Sequence, residues 1–578
     1  MSHFPRTLAV AAVAALLIPA VAPAQGVEQN PPAIVPLPST VLPLKHAPEP
    51  TTANITAADL MTRLYIFADD SMQGREAGTI GNFKGTTYIA GELANMGLVP
   101  AGDSGTYFQT VPLKERATEP ASTLSAGGAS LAFGTEWASM ATQSASKSDL
   151  PVVYGGRLGD SNAMLSPDQM AGKFVVFTLG PNTASLRAMM AGKGGGPAAV
   201  GVIAPAMYLA YFSQPAEFVD DPSQLPPAGG PTVLFVSAEG AGKFFDQPIG
   251  QLAPGAAGKP ASFDVRVDTK PVAYPARNVV GIIPGSDPAL KGEYVAVGAH
   301  NDHIGFNHTP VDHDSLRFFN HIVRPLGADS RAAQATPEQM AEVNRELAAW
   351  RAAHPGTARL DSIDNGADDD GSGTVTALEI AQKIMSLNPH PKRSMLFVWH
   401  VGEEKGLLGS TYFTDHPTVP RDSIVAQLNM DMVGRGDAYD LTGTAKDGSY
   451  LRGAPNYLML VGSRRLSTEL GNLVEQVNTE DHHGFVFDYA MDADGHPENV
   501  YCRSDHYEYA RYGIPITFFT TGLHSDYHQV TDEPEYIDYD HMARVGNLVE
   551  DVAVHVANLD HRVAVDHPKP DPHGVCKQ

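Results

Sequence analysis

The sequence predicts an α/β fold: a mixed, mostly parallel sheet with helices on both faces, plus an inserted small β-rich domain. Two observations carry that expectation. Runs such as YVAVGA (294–299), SMLFVW (394–399), IVAQLNM (424–430) and PITFF (515–519) are apolar without alternation, the pattern of strands buried on both faces. Between them lie stretches with helical spacing. In GTVTALEIAQKIMS (373–386), Val375, Leu378, Gln382 and Met385 mark one face, and LSTELGNLVEQVN (466–478) reads as a second helix. Ligands of such sheets bind in the crevice at the carboxyl ends of the strands. Several of these runs are followed directly by acidic and His residues.

Taken in chain order, residues 1–24 read as a secretory signal. Arg6 gives the positive start, LAVAAVAALLIPAV the apolar core, and Ala22-Pro23-Ala24 the small-residue cleavage pattern. The apolar run is shorter than the roughly 20 residues a spanning helix needs, so no membrane span is expected and the protein should be exported, periplasmic or secreted. Residues 25–56 are rich in Pro and Thr and form an extended lead-in. Helical patterning begins near Ala57 and recurs over FKGTTYIAGELANMG (83–97). Across 116–270, short β-like runs (DLPVVYGG, KFVVFTLG, AVGVIAPA, TVLFVS) alternate with Gly- and Pro-rich turns, the texture of an inserted β module. The catalytic domain is thus expected to be discontinuous, 57–115 and 271–560. Within it, 307–362 is a further insertion whose TPEQMAEVNRELAAWRAAH segment is a helix capped by Thr336, with Pro337 at its first position. The tail 561–578 reads as flexible.

The chain has 578 residues, 43% of them hydrophobic and 18% charged, and a net charge of −25 from 40 basic and 65 acidic residues. Phosphate binding needs basic surface, so nucleic acid is excluded as a partner. Only Cys502 and Cys576 are present. Export permits one disulfide, but two cysteines do not make a thiolate zinc site, so any metal must be held by His and carboxylate. The sequence holds no G-x-S-x-G elbow, His-Glu-x-x-His helix or Walker loop, which removes serine hydrolase, gluzincin and nucleotide hydrolase readings.

The ordered set is His300-Asn301-Asp302, Asp368-Asp369-Asp370-Gly371-Ser372-Gly373, Glu403-Glu404, Asp431 and His528. Taken singly, Glu-Glu after a strand is a solvated helix start and Asp-Gly-Ser-Gly a turn. Together they supply what a two-metal hydrolase needs: a bridging carboxylate, His and acid ligands for each ion, and a nearby acid to take a proton from water. Residue type alone does not choose among Asp368, Asp369 and Asp370, nor between His524 and His528.

In this order H-x-D, D-x-G-S-G, Glu-Glu, N-x-D-M-V-G, S-D-H and Y-H-x-x-x-D resemble the co-catalytic di-zinc aminopeptidase family. That family also holds glutamate carboxypeptidases, glutaminyl cyclases and the transferrin-receptor ectodomain. The resemblance covers 278–550 and, more weakly, 57–115; the insertion resembles a protease-associated domain. It implies a zinc-exopeptidase type of sheet and two Zn2+ per chain. It assigns His300 and Asp431 to one ion, Glu404 and His528 to the other, and Asp369 as the bridge. It further implies Glu403 as general base and Asp302 as the acceptor that orients the His300 ring. Tyr501 or His506 is expected to stabilise the oxyanion. The implied activity is release of N-terminal residues from peptides with a free amino terminus. The rival is a glutamate-carboxypeptidase-like enzyme, for which Arg317, Arg324 and Arg331 are candidate carboxylate binders; a non-catalytic binding ectodomain is the reading from a different class. Oligomeric state is not legible.

Overall fold

In the computed structural model the described residues are 47, 49–160, 163–180, 196–221, 230–330, 334–356 and 359–578. The signal segment 1–24 and most of the lead-in 25–56 lie outside them, as does Arg331.

The described chain divides into two compact units. One is Pro112–Val272; the other joins residues up to Val111 with Ala273–Gln578. The inserted unit is built on an eight-stranded sheet whose centre is parallel, Ala145–Arg157, Phe174–Thr178, Ala199–Ile203 and Thr232–Val236. Its core packs Trp137, Phe174, Phe244 and Phe263, with Phe174 and Phe244 stacked at 5.3 Å.

The second unit holds a nine-stranded sheet: β1 (Val99–Pro100), β2 (Phe108–Val111), β3 (Ala276–Ile283), β4 (Tyr294–His300), β5 (Ser394–His400), β6 (Ile424–Met430), β7 (Tyr457–Val461), β8 (Val486–Asp488) and β9 (Ile516–Thr520). Their order is β1-β3-β5-β4-β6-β9-β7-β8, with β2 also on β3. The four central strands β5, β4, β6 and β9 are parallel, whereas β3 on one side and β7 on the other run antiparallel to their inner neighbours. The sheet is therefore mixed: its centre is parallel, and the edge strand β8 also pairs parallel with β7.

Helices cover both faces. They are α1 (Ala57–Phe67), α2 (Ile80–Met96), α3 (His313–Val323), α4 (Pro337–Ala353), α5 (Gly373–Ser386), α6 (Leu408–Asp415), α7 (Thr468–Glu480), α8 (His506–Ala510) and α9 (Tyr539–Asn558). Alternate strand residues feed two cores: Val295, Val297, Phe397 and Trp399 join Leu378, Val545 and Leu548, while Ala296, Leu396 and Val398 join Phe413 and Tyr509 on the opposite face. Every residue of β5 and β6 is buried, including Gln427 and Asn429 of β6, whose side chains bond each other at 3.0 Å. Phe397, fully buried and stacked on Trp399 at 6.0 Å, belongs to the first of these cores. Phe397→Ala should cost about 3–5 kcal/mol in denaturant unfolding of this unit through loss of burial and an unfilled cavity. A shift under 1 kcal/mol would remove Phe397 from the core.

Thr336 caps α4 with a capping box closed by Gln339. With α3, this helix lies between the paired strands Gly305–Asp312 and Leu360–Asp364. The insertion is tied to the loop after β9. Arg317 reaches Asp526 at 3.0 Å, and Gly327 lies so close that a Cβ there would meet the carbonyl oxygens of His524 and Tyr527 at 2.8 and 2.9 Å. Only glycine fits that approach.

The expectation of a flexible tail over 561–578 is corrected. Cys576 is disulfide-bonded to Cys502, Arg511 donates to the Pro572 carbonyl at 3.1 Å, and Thr468 N donates to Asp566 at 2.9 Å. The Pro- and Asp-rich composition suggested a solvated chain, but these long-range ties leave no trace in local periodicity.

Candidate metal centre

The carboxyl ends of the parallel strands converge on one cluster. His300 is the last residue of β4, Asp431 follows β6 directly, Glu403 and Glu404 lie just beyond β5, and His528 lies on the loop after β9. Asp369 comes from the turn Ala367–Ser372 that opens α5. That turn needs Gly366, at φ +54°, since a Cβ there would strike the His303 ring at 2.5 Å and the Asp369 carbonyl at 2.2 Å.

Asp369 stands at the middle. Its Oδ1 lies 3.2 Å from His300 Nε2, and its Oδ2 lies 3.0 Å from His528 Nε2. On the first side, Asp431 Oδ1 is 3.6 Å from His300 Nε2. On the second, Glu404 Oε2 is 3.0 Å from His528 Nε2. Glu403 Oε2 comes within 4.0 Å of His300 Nε2. All six residues expected as ligands or base thus lie in one cluster.

The other two aspartates of the triplet are committed elsewhere. Asp370 lies near His300 and Asp431 as well, but its carboxylate already accepts from the backbone N–H groups of His300 (3.0 Å), Gly373 (2.9 Å) and Met432 (3.3 Å). Asp368 accepts from Gly434 N at 2.7 Å and faces His524 Nε2 at 3.1 Å. The same pairing occupies His524. Asp532 in turn accepts from the backbone N–H of both Asp368 and Asp369, fixing the turn.

Asp302 does something different from the expected part. Its Oδ1 accepts from Gly402 N (2.7 Å) and Glu403 N (3.2 Å), while His300 Nδ1 lies 3.0 Å from its carbonyl oxygen and 3.7 Å from Oδ1. The ring is therefore oriented mainly by the backbone of Asp302, and its carboxylate positions the Glu403 segment.

Two expected oxyanion residues are not in the cluster. Tyr501 is 5% exposed and packs in the apolar core against Tyr507, and His506 is 0% exposed and stacked on Phe518 at 4.5 Å. Burial pulls the His506 imidazole down to about 3, so it stays neutral. Neither lines the cavity beside Asp369. Their spacing from Ser504-Asp505-His506 did not reveal which way the side chains point.

Two other residues take part. His303, fully buried, places Nδ1 2.7 Å from Glu404 Oε1. Tyr527 lines the cavity with Asp369, Glu403, Asp431 and His528, and Arg503 Nη2 donates to its hydroxyl at 3.4 Å. Arg503 itself pairs with Asp329 at 2.9 Å. The signals were present in the sequence, as the second His of His300-Asn301-Asp302-His303 and the Tyr beside His528. Met432, Met459, Met491, Val500, Phe518 and Leu523 form the apolar wall of this cavity.

Electrostatics follow from burial and crowding. Burial pushes the Asp369 carboxyl up, but contact with His300 and His528 outweighs it and holds the group well below the usual range. Burial also opposes the charged form of Glu404, yet His528 draws it down to about 2. Glu403 is pushed well above its ordinary value, first by burial and then, against the pull of His300, by the charges of Asp431, Glu404 and Asp505. For His300 and His528 burial is overcome by facing carboxylates, and both imidazoles are raised.

The donor set fits zinc, which takes imidazole nitrogen and carboxylate oxygen. His300 Nε2 is buried without a hydrogen-bond partner although two carboxylates crowd it, as a ring aimed at a cation would be. Ser504 Oγ donates to Asp431 Oδ2 at 2.7 Å, leaving Oδ1 to face His300.

Residues 278–553 match the model of peptidase family M28. Over that stretch the chain is similar to peptidase family M28. Among curated proteins, leucine aminopeptidase 1 of Aspergillus fumigatus is 28% identical over 191 residues, 32% of this chain and 44% of that protein. Leupeptin-inactivating enzyme 1 of Streptomyces exfoliatus is 33% identical over 96 residues, 15% of this chain and 22% of that one. The chain thus spans less than half the length of these relatives. Among solved structures, an aminopeptidase from Aneurinibacillus sp. strain AM-1 aligns with 89% of this chain and 97% of its own at 16% identity and a TM-score of 0.49. The M28 match begins in β3 and ends within α9, so it encloses all the clustered residues.

Proposed function

We propose that this protein is an exported di-zinc aminopeptidase of family M28. The observation that carries the reading is the placement of Asp369, whose two oxygens face His300 and His528 from opposite sides. In this reading His300 and Asp431 would hold one zinc, Glu404 and His528 the other, and Asp369 would serve both. When bound, such a pair polarises the scissile carbonyl and makes water acidic enough to deprotonate near neutral pH. Glu403, beside the cluster with its backbone fixed by Asp302, takes the proton of the attacking water and hands it to the leaving amine. The Tyr527 hydroxyl accepts from Arg503, which leaves its own O–H free to donate to the carbonyl oxygen as negative charge develops there. His303 holds Glu404 in orientation.

The methionine-rich wall suits an apolar side chain on the first residue of the peptide, in keeping with relatives named leucine aminopeptidase. The carboxypeptidase alternative has less support. Arg317 is engaged by Asp526, Arg324 donates to the Gly327 carbonyl, and Arg503, which does line the cavity, is already paired with Asp329. A purely binding role would not require Glu403 beside an intact ligand set. Export is supported by the segment 1–24 and by the Cys502–Cys576 disulfide, a bond that persists in oxidising compartments. Among the described residues no helix is long and apolar enough to cross a membrane. The inserted unit we read as a protease-associated-like module.

Leucyl p-nitroanilide and an amino-blocked peptide ending in glutamate separate the two exopeptidase readings. The first should be hydrolysed and the second left intact, with activity lost on chelation and restored by zinc. Undiminished turnover after removal of metal, or cleavage of the blocked peptide alone, would refute the proposal.

A further inference from the structure

One wall of the substrate cavity comes from the segment 490–503, which contributes Met491, Val500 and Arg503. The segment carries two short 3-10 turns, Ala490–Asp492 and Val500–Cys502, and the stretch between them loops across the surface. Arg465 holds its near end through Asp492 at 2.6 Å, and His496 Nε2 meets the Thr444 carbonyl at 2.8 Å.

A third set of ties comes from the last residues of the sequence. Gln578 Nε2 donates to the carbonyls of Met491 and Ala493, and its Oε1 accepts from Tyr501 N at 2.9 Å. Its backbone N donates to Asn499 Oδ1 at 3.2 Å, and its carbonyl accepts from Gly495 N at 2.8 Å. Two residues earlier, Cys576 is bonded to Cys502, with the two Cα atoms 5.9 Å apart. A single side-chain amide therefore bridges the backbone at both ends of the segment, beside Met491 on one side and Val500 on the other. The disulfide fixes the amide's own position.

We propose that Gln578 and the Cys502–Cys576 disulfide form a clamp that sets the span of this wall and so determines which first side chain the cavity accepts. The proposal rests on the aminopeptidase reading for its substrate. Both groups are positioning residues, because they act through Met491 and Val500 and touch no substrate. Without Gln578, the Met491 carbonyl and the Tyr501 N–H lose their partner, and unpaired backbone groups drive the segment to rearrange toward water. A wall free to shift no longer distinguishes a large apolar residue from a small one, while groups at the metal centre stay where they were.

The test compares Gln578→Ala and a Cys502→Ser/Cys576→Ser double variant with the parent chain, each loaded with zinc, on leucyl and alanyl p-nitroanilides. The ratio of kcat/KM for leucyl over alanyl should fall roughly 5- to 10-fold, through KM for the leucyl substrate, with kcat on the alanyl substrate and zinc content unchanged. An unchanged ratio in Gln578→Ala, the milder variant, would overturn the clamp whatever happens to melting temperature. Hydrogen exchange across 491–503 gives a second readout that needs no activity: faster exchange in Gln578→Ala supports the clamp, and unaltered exchange sinks it. If the parent hydrolyses neither anilide, the aminopeptidase reading fails by itself, and the exchange result alone decides the clamp.

Discussion

Replacing Glu403 with glutamine should leave two zinc ions bound per chain and lower kcat by roughly 10²- to 10⁴-fold, the range for loss of a positioned proton acceptor. The substitution keeps the shape of the side chain and the backbone N–H that donates to Asp302 Oδ1, so the local fold survives. It removes only the ability to take a proton. Glu403 Oε2 is 4.0 Å from His300 Nε2, farther than Asp369 or Asp431, in keeping with the proposed role beside the metal-holding groups. KM should therefore change little, because the lost interaction belongs to the transition state. Metal analysis and steady-state kinetics on one preparation check both halves. Normal turnover, or loss of metal in step with activity, would take the role of base away from Glu403.

Asp369→Ala should do more damage by a different route. One carboxylate here serves two imidazole environments, with Oδ1 toward His300 and Oδ2 toward His528. No neighbour can take its place, since Asp370 is spent on three backbone N–H groups and Asp368 on Gly434 and His524. The variant should retain at most one zinc per chain and show no turnover above background, even with added zinc. The expected loss is at least as large as for Glu403, because Lewis-acid polarisation and water activation go together. Retention of two ions after dialysis would show that the bridge lies elsewhere.

How much of this was legible before folding depended on what kind of contact was at stake. The central strands announce themselves because Ser394–His400 and Ile424–Met430 are buried throughout, and burial on both faces writes itself as a mainly apolar run, interrupted in the second only by Gln427 and Asn429. The antiparallel pairings of β3 and β7 with the central strands did not, since both carry the same apolar texture whichever way they pair. The clustered His and acidic residues are legible as residue types at strand ends, and their proposed pairing as family resemblance. The choice within the Asp triplet is made physically by bonds such as Asp370 to His300 N, 70 residues apart, which no local pattern encodes. Tyr501 and His506 mislead for the related reason that a side chain's direction on a short turn is set by the core it meets. His303 and Tyr527 are hard to single out in sequence because one follows His300 by three residues and the other adjoins His528, the more conspicuous member of each pair. The tail misled through composition, its order coming from one disulfide and from Gln578.

The insertion from Gly305 to Asp364 is fastened to the loop after β9 by Arg317 on Asp526 and by the close seat of Gly327 under Tyr527. That has a consequence for anyone recombining this chain with its relatives. The two segments stand some 200 positions apart in sequence, yet these contacts require that they be exchanged together. A chimera that imports one from a relative and keeps the other at home would bring His528 on a strip with no backing.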